Sequence, residues 1–229
     1  AGQLQQVPVP RGGGILMADD WRAWPPHVEH LVDSIGRAIK PVAYPPMDFI
    51  LASVDTALTE KEENDDSACI VLGIFHDRDD MPQVMLMEAW EDKLLFKALV
   101  NKIMDTCTRR KVDRCLVEGK MNGQSVVQEM QRLLRGSEYG VLAESVQGDK
   151  IARAHAIEPT LAGGQLWAPA RNINGNIQFF KWAQEVIDRA AKFPKVRSKD
   201  IVDALTQGVN HLRKTGMLQT PGDRRDELR

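Results

Sequence analysis

The sequence predicts an α/β protein on a mixed five-stranded sheet, three antiparallel strands and then two parallel ones, flanked by helices. Three observations carry this. Between Phe49 and Trp90, three apolar, β-rich runs follow one another across short polar loops. From Leu94 onward the pattern alternates helical spacing with short apolar runs. The chain has 229 residues, 43% of them hydrophobic, which is enough for a buried core without disulfide staples.

The first 47 residues differ from the rest. Val7-Pro8-Val9-Pro10, Gly12-Gly13-Gly14, Trp24-Pro25-Pro26 and Pro45-Pro46 remove donors or add backbone entropy, so 1–47 is expected to be an arm or linker. One short helix is expected in it over 28–39, where Leu31, Ile35 and Ile39 recur at helical spacing. Regularity begins with Phe49-Ile50-Leu51-Ala52-Ser53-Val54, a continuous run suited to a strand buried on both faces, which ends at Asp55. A polar loop, 59–66, separates it from Ala68 to Phe75. His76-Asp77-Arg78-Asp79-Asp80 turns the chain, and Gln83 to Trp90 returns, completing an antiparallel meander.

The alternating half starts with a helix over 94–110, with Leu95, Leu99, Ile103 and Cys107 in steps of four. Cys115-Leu116-Val117-Glu118 is a short strand, 124–134 a helix, and 139–146 another strand. A short basic helix covers 149–157, and Gln165-Leu166-Trp167 is an extended piece. The periodicity predicts a helix over 177–191, then a last helix capped by Ser198 and reaching about Lys214. The body of the chain is thus 48–216, with 217–229 a flexible polar tail. The order β-β-β-α-β-α-β-α is that of the ribonuclease H-like fold, in which right-handed crossovers add parallel strands beside the first.

Composition limits the function. With 30 Lys+Arg against 32 Asp+Glu, the formal net charge of -2 gives no global signal for nucleic acid, so any DNA affinity must be local. No apolar run approaches the roughly 18 residues of a membrane span, and no secretory signal precedes the fold. Cys69, Cys107 and Cys115 are odd in number and sit in apolar patterns, as reduced thiols of a cytoplasmic protein would. There is no GxxxxGK[ST] loop, GxGxxG turn or Gly-x-Ser-x-Gly elbow, and no histidine–cysteine zinc spacing.

What remains is a set of carboxylates. Asp55 and Glu118 each end an apolar strand; in a sheet where those strands are parallel neighbours, both emerge at the carboxyl end, where open α/β sheets bind ligands. Pattern alone equally suits Asp55 as an acid that starts a turn. Asp200 and Asp203 open the last helix on one face, opposite an apolar arc of Ile201, Val202, Leu205, Val209 and Leu212. Periodicity by itself favours a solvated acidic first turn. The sharper expectation places that helix across the strand ends, so that Asp203 looks into one cleft with Asp55 and Glu118. Clustered carboxylates repel, and hard divalent cations such as Mg²⁺ or Mn²⁺ relieve that repulsion. Two such ions about 4 Å apart can clamp a phosphodiester during hydrolysis. Lys120, with Lys150 and Arg153, flanks the expected cleft and is the preferred phosphate contact. The other basic runs (109–111 and 192–199) suit solvated helix ends, the His76 to Asp80 segment a polar hairpin, and Glu88 a paired strand acid.

Several segments together resemble the nuclease half of a tailed-phage terminase large subunit. Gln5-Gln6, Pro8, Pro10-Arg11 and Gly13-Gly14, followed by Trp21, resemble the stretch where that family leaves its ATPase domain. Ser53-Val54-Asp55-Thr56-Ala57 with Asp65-Asp66-Ser67-Ala68, then Val117-Glu118-Gly119-Lys120-Met121-Asn122-Gly123, resemble its two nuclease motifs. Gly148-Asp149-Lys150-Ile151-Ala152-Arg153-Ala154 is similar to a family helix near the DNA path, and Lys199-Asp200-Ile201-Val202-Asp203-Ala204-Leu205 to its final acidic motif. The resemblance implies an endonuclease that cuts concatemeric viral DNA during packaging. It implies Asp55, Glu118 and Asp203 as catalytic ligands of two Mg²⁺ or Mn²⁺ ions, with Asp200 auxiliary, and Lys120, Asn122, Lys150 and Arg153 on DNA. Implied partners are double-stranded DNA, and in a full-length protein the portal, a small terminase subunit and an ATPase domain. The place of action would be the host-cell cytoplasm, with the isolated domain monomeric and no membrane involved. Gly119 departs from the family, which often has a polar residue after the motif glutamate.

Two other functions fit the same residues. A resolvase- or transposase-like nuclease shares the fold and the acids. A docking module that binds DNA and protein without cutting would use Trp21 and Trp24 as anchors, although an arm packed on its own domain is the favoured explanation of those tryptophans.

Overall fold

Strand alternation decides which side chains reach which layer, because successive residues face opposite sides of the sheet. The structure, a computed structural model, describes residues 14–24, 43–56, 66–119, 121–134, 139–145, 148–173, 176–220 and 223. The helix expected over 28–39, most of the 59–66 loop, Lys120 and most of the tail lie outside them. The described strands are β1 (Arg22–Trp24), β2 (Phe49–Asp55), β3 (Ser67–His76), β4 (Pro82–Asp92), β5 (Arg114–Glu118), β6 (Gly140–Glu144), β7 (Leu166–Ile173) and β8 (Asn176–Phe179). The helices are α1 (Phe96–Arg110), α2 (Met121–Leu133), α3 (Lys150–Ala162), α4 (Lys181–Lys192) and α5 (Asp200–Lys214).

The sheet order is β1-β7-β4-β3-β2-β5-β6, with β8 paired to β7. Its centre is the expected one: β2, β3 and β4 form an antiparallel meander, and β5 and β6 add in parallel beside β2. Among the described residues the sheet has eight strands, against the expected five. The extended piece at Leu166 is a full strand parallel to β4, and β1 pairs parallel with β7 at the edge. Within the N-terminal arm, Leu16 and Trp21 are therefore buried in the core of their own domain.

Two apolar layers cover the faces. Leu51, Ile70, Leu72 and Leu116 pack with residues of α3, α4 and α5. Ala52, Val54, Val71 and Val117 pack with residues of α1 and α2, and the three cysteines lie in this second layer, free and buried.

Three of the element boundaries that differ from expectation have a local cause. The helix expected over 177–191 begins only at Lys181, because Asn176 to Phe179 pair antiparallel with β7 as β8. Two adjacent phenylalanines, Phe179 and Phe180, make the strand continuous with the helix in hydrophobicity. The helix α3 runs on through Pro159 to Ala162, since Ile157 and Leu161, one turn apart, are both buried. Ser198 does not cap α5: Lys199 holds the cap position without a side-chain bond, and the Ser198 hydroxyl donates to Glu91.

Candidate active site

The register of β2 on β5 builds the site. Val54 lies opposite Val117 in this parallel pair, so Asp55 and Glu118, one step further on each strand, end side by side. Both belong to the alternation set of Leu51 and Leu116, the side covered by α5. The third wall is the first turn of α5. This helix is buried nearly all round, from Ile201 to Leu212, and Asp203 is only 3% exposed. The solvated reading of the acidic turn is thus corrected. The reason is that the face opposite the aliphatic arc is also packed: Gln207 donates to the Ser53 hydroxyl at 3.2 Å and to the Val54 carbonyl, tying α5 to β2.

Four carboxyl groups result. Asp55, Asp200 and Asp203 each offer an oxygen, and these lie within 4.8 Å of one another. Glu118, buried, is hydrogen-bonded to Asp55. Two ionised carboxylates can only accept, so this contact is favourable while one of the pair carries a proton. Burial, the bond to Glu118, and the charges of Glu118, Asp203 and Asp200 push the Asp55 carboxyl up to about 9. Asp200, half-buried, is also raised, by burial and then by the charge of Glu91, against a lowering pull from Lys150.

Two cations face the acids. From α3, Lys150 Nζ donates to Asp203 Oδ2, and Arg153 Nη2 donates to Asp203 Oδ1 at 3.2 Å. Burial works against the Lys150 charge, but the bond and charge of Asp203, with Asp55 and Asp200, hold its pKa above the ordinary value. Arg153 is 9% exposed, and its Nε and Nη1 have no partner among the described residues. Asp149 caps α3 by accepting from the Ala152 amide at 2.7 Å, which fixes the turn carrying Lys150. Lys120 lies outside the described residues; Asn122 is in the first turn of α2, its side chain outside them too.

The donor set decides what could be held here. It is made of hard carboxylate oxygens, and among the described residues no histidine or cysteine joins it. That chemistry fits Mg²⁺ or Mn²⁺ and is unlike a structural zinc centre. Burial first, then the neighbouring carboxyls, favours a proton on Asp55, and a divalent cation would offset both.

The remaining sequence candidates have local explanations. Asp77 closes the β3–β4 hairpin, accepting from the Asp79 and Met81 amides at 3.0 Å each and from Gln83 at 2.8 Å. Glu88 is clamped by Arg109 and Arg110, both at 2.6 Å; burial opposes its charge, but the two arginines hold its pKa below the usual range. Sequence reasoning missed Glu91, a residue of β4 whose only signal is a strand end too far along the chain from any motif.

Residues 52–212 match a known family, described as the terminase RNaseH-like domain. The chain belongs to that family. No curated protein matches it by sequence. Among solved structures, this terminase domain is similar to the large terminase nuclease of thermophilic phage G20c. The cobalt-bound form aligns with a TM-score of 0.53 and 12% identity over 86% of this chain and 96% of the other. The zinc-bound form gives 0.51 and 14% over 84% and 95%. The magnesium-bound form gives 0.51 and 12% over 86% and 96%. At such identities the likeness is one of fold. Among the described residues, no helix of the domain is long and apolar enough to cross a membrane.

Proposed function

We propose that this terminase domain hydrolyses phosphodiester bonds of double-stranded DNA as the endonuclease of a viral genome-packaging motor. The observation that carries the reading is the convergence of Asp55, Asp200 and Asp203, with Glu118 bonded to Asp55, in a member of this family. Asp55, Glu118 and Asp203 are the catalytic ligands of two Mg²⁺ or Mn²⁺ ions, with Asp200 as an auxiliary ligand. When bound, such ions polarise the phosphodiester and supply an activated water.

The chain's own groups have separate tasks. Asp55 and Glu118, held by two adjacent strands, form a rigid floor and would release any proton they share when the ions bind. Lys150 is half-buried at the mouth, so its ammonium can leave Asp203 for a phosphate oxygen while its stem stays packed. Arg153, deeper, keeps Asp203 oriented. Lys120 and Asn122 serve as further DNA contacts. In the full protein the arm, 1–47, leads from an ATPase domain to the nuclease body, 48–216, and lends it Leu16, Trp21 and β1; of the expected tail, 217–229, Leu218 packs in the same core. The portal and a small terminase subunit are its partners, the host cytoplasm its site of action, and the isolated domain a monomer.

Supercoiled plasmid incubated with the chain and Mn²⁺ tests this reading. Nicked and linear products are expected, lost in EDTA and lost to background in Asp55→Asn and Asp203→Asn. Intact supercoils at high enzyme concentration, or cutting that survives Asp203→Asn, would overturn it.

A further inference from the structure

Asp200 is the first residue of α5, and helix ends fray unless something holds them. Its turn has no side-chain cap at Lys199. What lies behind it is a chain of contacts reaching across to two other elements. Glu91, near the end of β4, has a side chain 12% exposed and sits opposite Ala68 of β3 in the sheet. Its Oε2 accepts from Arg189 Nη1 of α4, and its Oε1 accepts from the Ser198 hydroxyl. The same hydroxyl oxygen lies 3.4 Å from Asp200 Oδ2. A serine has one proton to give, and here two carboxylates face it. Glu91 is fixed by its strand and by the Arg189 guanidinium, so it decides where the serine oxygen sits. With its proton on Glu91, that oxygen faces Asp200 Oδ2 as a second acceptor at 3.4 Å, so it limits where the Asp200 carboxyl can go by blocking it and not by bonding it.

We propose that Glu91 and Ser198 are positioning residues that hold Asp200 where its carboxylate meets those of Asp55 and Asp203. The proposal rests on the metal-ligand reading above and assigns its least anchored acid a support. Without that support Asp200 could turn outward from the half-buried first turn, because the backbone of α5 alone does not choose its rotamer. Outer partners of this kind orient ligating carboxylates, and their loss typically costs about 10–100-fold in metal affinity.

Calorimetric titration of the whole chain with Mn²⁺, without DNA, tests it. Ser198→Ala is expected to weaken Mn²⁺ binding by about 10–100-fold, Ser198→Thr to restore it, and the thermal midpoint in EDTA to stay near that of the unaltered chain in both. If Ser198→Ala fails to fold, Glu91→Gln, which keeps the shape and weakens the clamp, carries the test on the same criterion. Equal Mn²⁺ affinity in Ser198→Ala and the unaltered chain would overturn the positioning role, as would a Thr variant as weak as the Ala one. Failure of the unaltered chain to bind Mn²⁺ sinks instead the metal reading beneath it.

Discussion

The Asp55 carboxyl at the end of β2 is hydrogen-bonded to Glu118 at the end of the neighbouring parallel strand β5. Few arrangements are less favourable to two free carboxylates, because both are buried and further acids from α5 face them. The proton that joins them is therefore a stability determinant and a competitor for any cation.

Its sign can be worked out. Burial first, then Glu118, raises Asp55 from an ordinary carboxylate value to about 9. Between those values the folded chain keeps a proton that the unfolded chain has released, so stability falls as pH rises. The contribution of Asp55 is fully present below its unfolded pKa and is lost as pH climbs through about 9. Urea unfolding in EDTA should show this downward slope from pH 5 to 9, flattened in Asp55→Asn. Mg²⁺ binding should tighten with pH over the same window and release a proton to the buffer. A pH-independent Mg²⁺ affinity would contradict the shared proton.

How much of this could be read from the sequence follows from the same geometry. Asp55 and Glu118 were legible because each ends a continuous apolar strand, and parallel neighbours bring such ends together. Asp203 was not legible from periodicity, since Thr206, Gln207 and Gly208 look like a solvent face. They are buried because small or amide side chains let α5 lie close on β2 and β3. β1 has only three residues and no partner nearby in sequence, so nothing local announces it. β8 was hidden by the run of apolar residues into α4, although the Asn174-Gly175 dipeptide before it is a hairpin signal. The Lys150 and Arg153 pair was visible as charge, but its attachment to Asp203 depends on how α3 crosses α5.

That attachment yields a second prediction. Removing the Arg153 guanidinium leaves Asp203 with Lys150 as its remaining cation, so the acid is not stranded as a bare buried charge. It also removes two buried N–H-bearing nitrogens that have no partner among the described residues, which offsets part of the loss. Arg153→Ala is therefore expected to cost about 1–2 kcal/mol, below the 3–5 kcal/mol typical of breaking an isolated buried pair. Urea unfolding in EDTA measures it. A gain in stability would mean that the unpaired nitrogens outweigh the ion pair.

The last prediction concerns two glycines that set how closely the helices approach the acids. At Gly123 in the first turns of α2, a Cβ would stand 1.8 Å from the Glu118 carbonyl oxygen and 3.0 Å from its carbonyl carbon. Both are backbone atoms of the strand end that carries the glutamate, so α2 or that strand end must move. At Gly208 in α5, a Cβ would meet Leu72 Cδ1 at 3.0 Å and Ser53 Cβ at 3.1 Å. Leu72 Cδ1 ends a flexible side chain, but Ser53 Cβ is fixed to the backbone of β2, so α5 and β2 must part by a few tenths of an ångström. Alanine also gains about 1 kcal/mol of helix propensity over glycine at either position. Gly208→Ala should thus lose less, its small strain set against the gain in propensity, whereas Gly123→Ala should lose about 1–3 kcal/mol through overpacking. It should weaken Mn²⁺ binding as well, because Glu118 is displaced with its backbone. Paired urea melts and Mn²⁺ titrations read both effects, and equal behaviour of the two variants would show that α2 yields without moving Glu118.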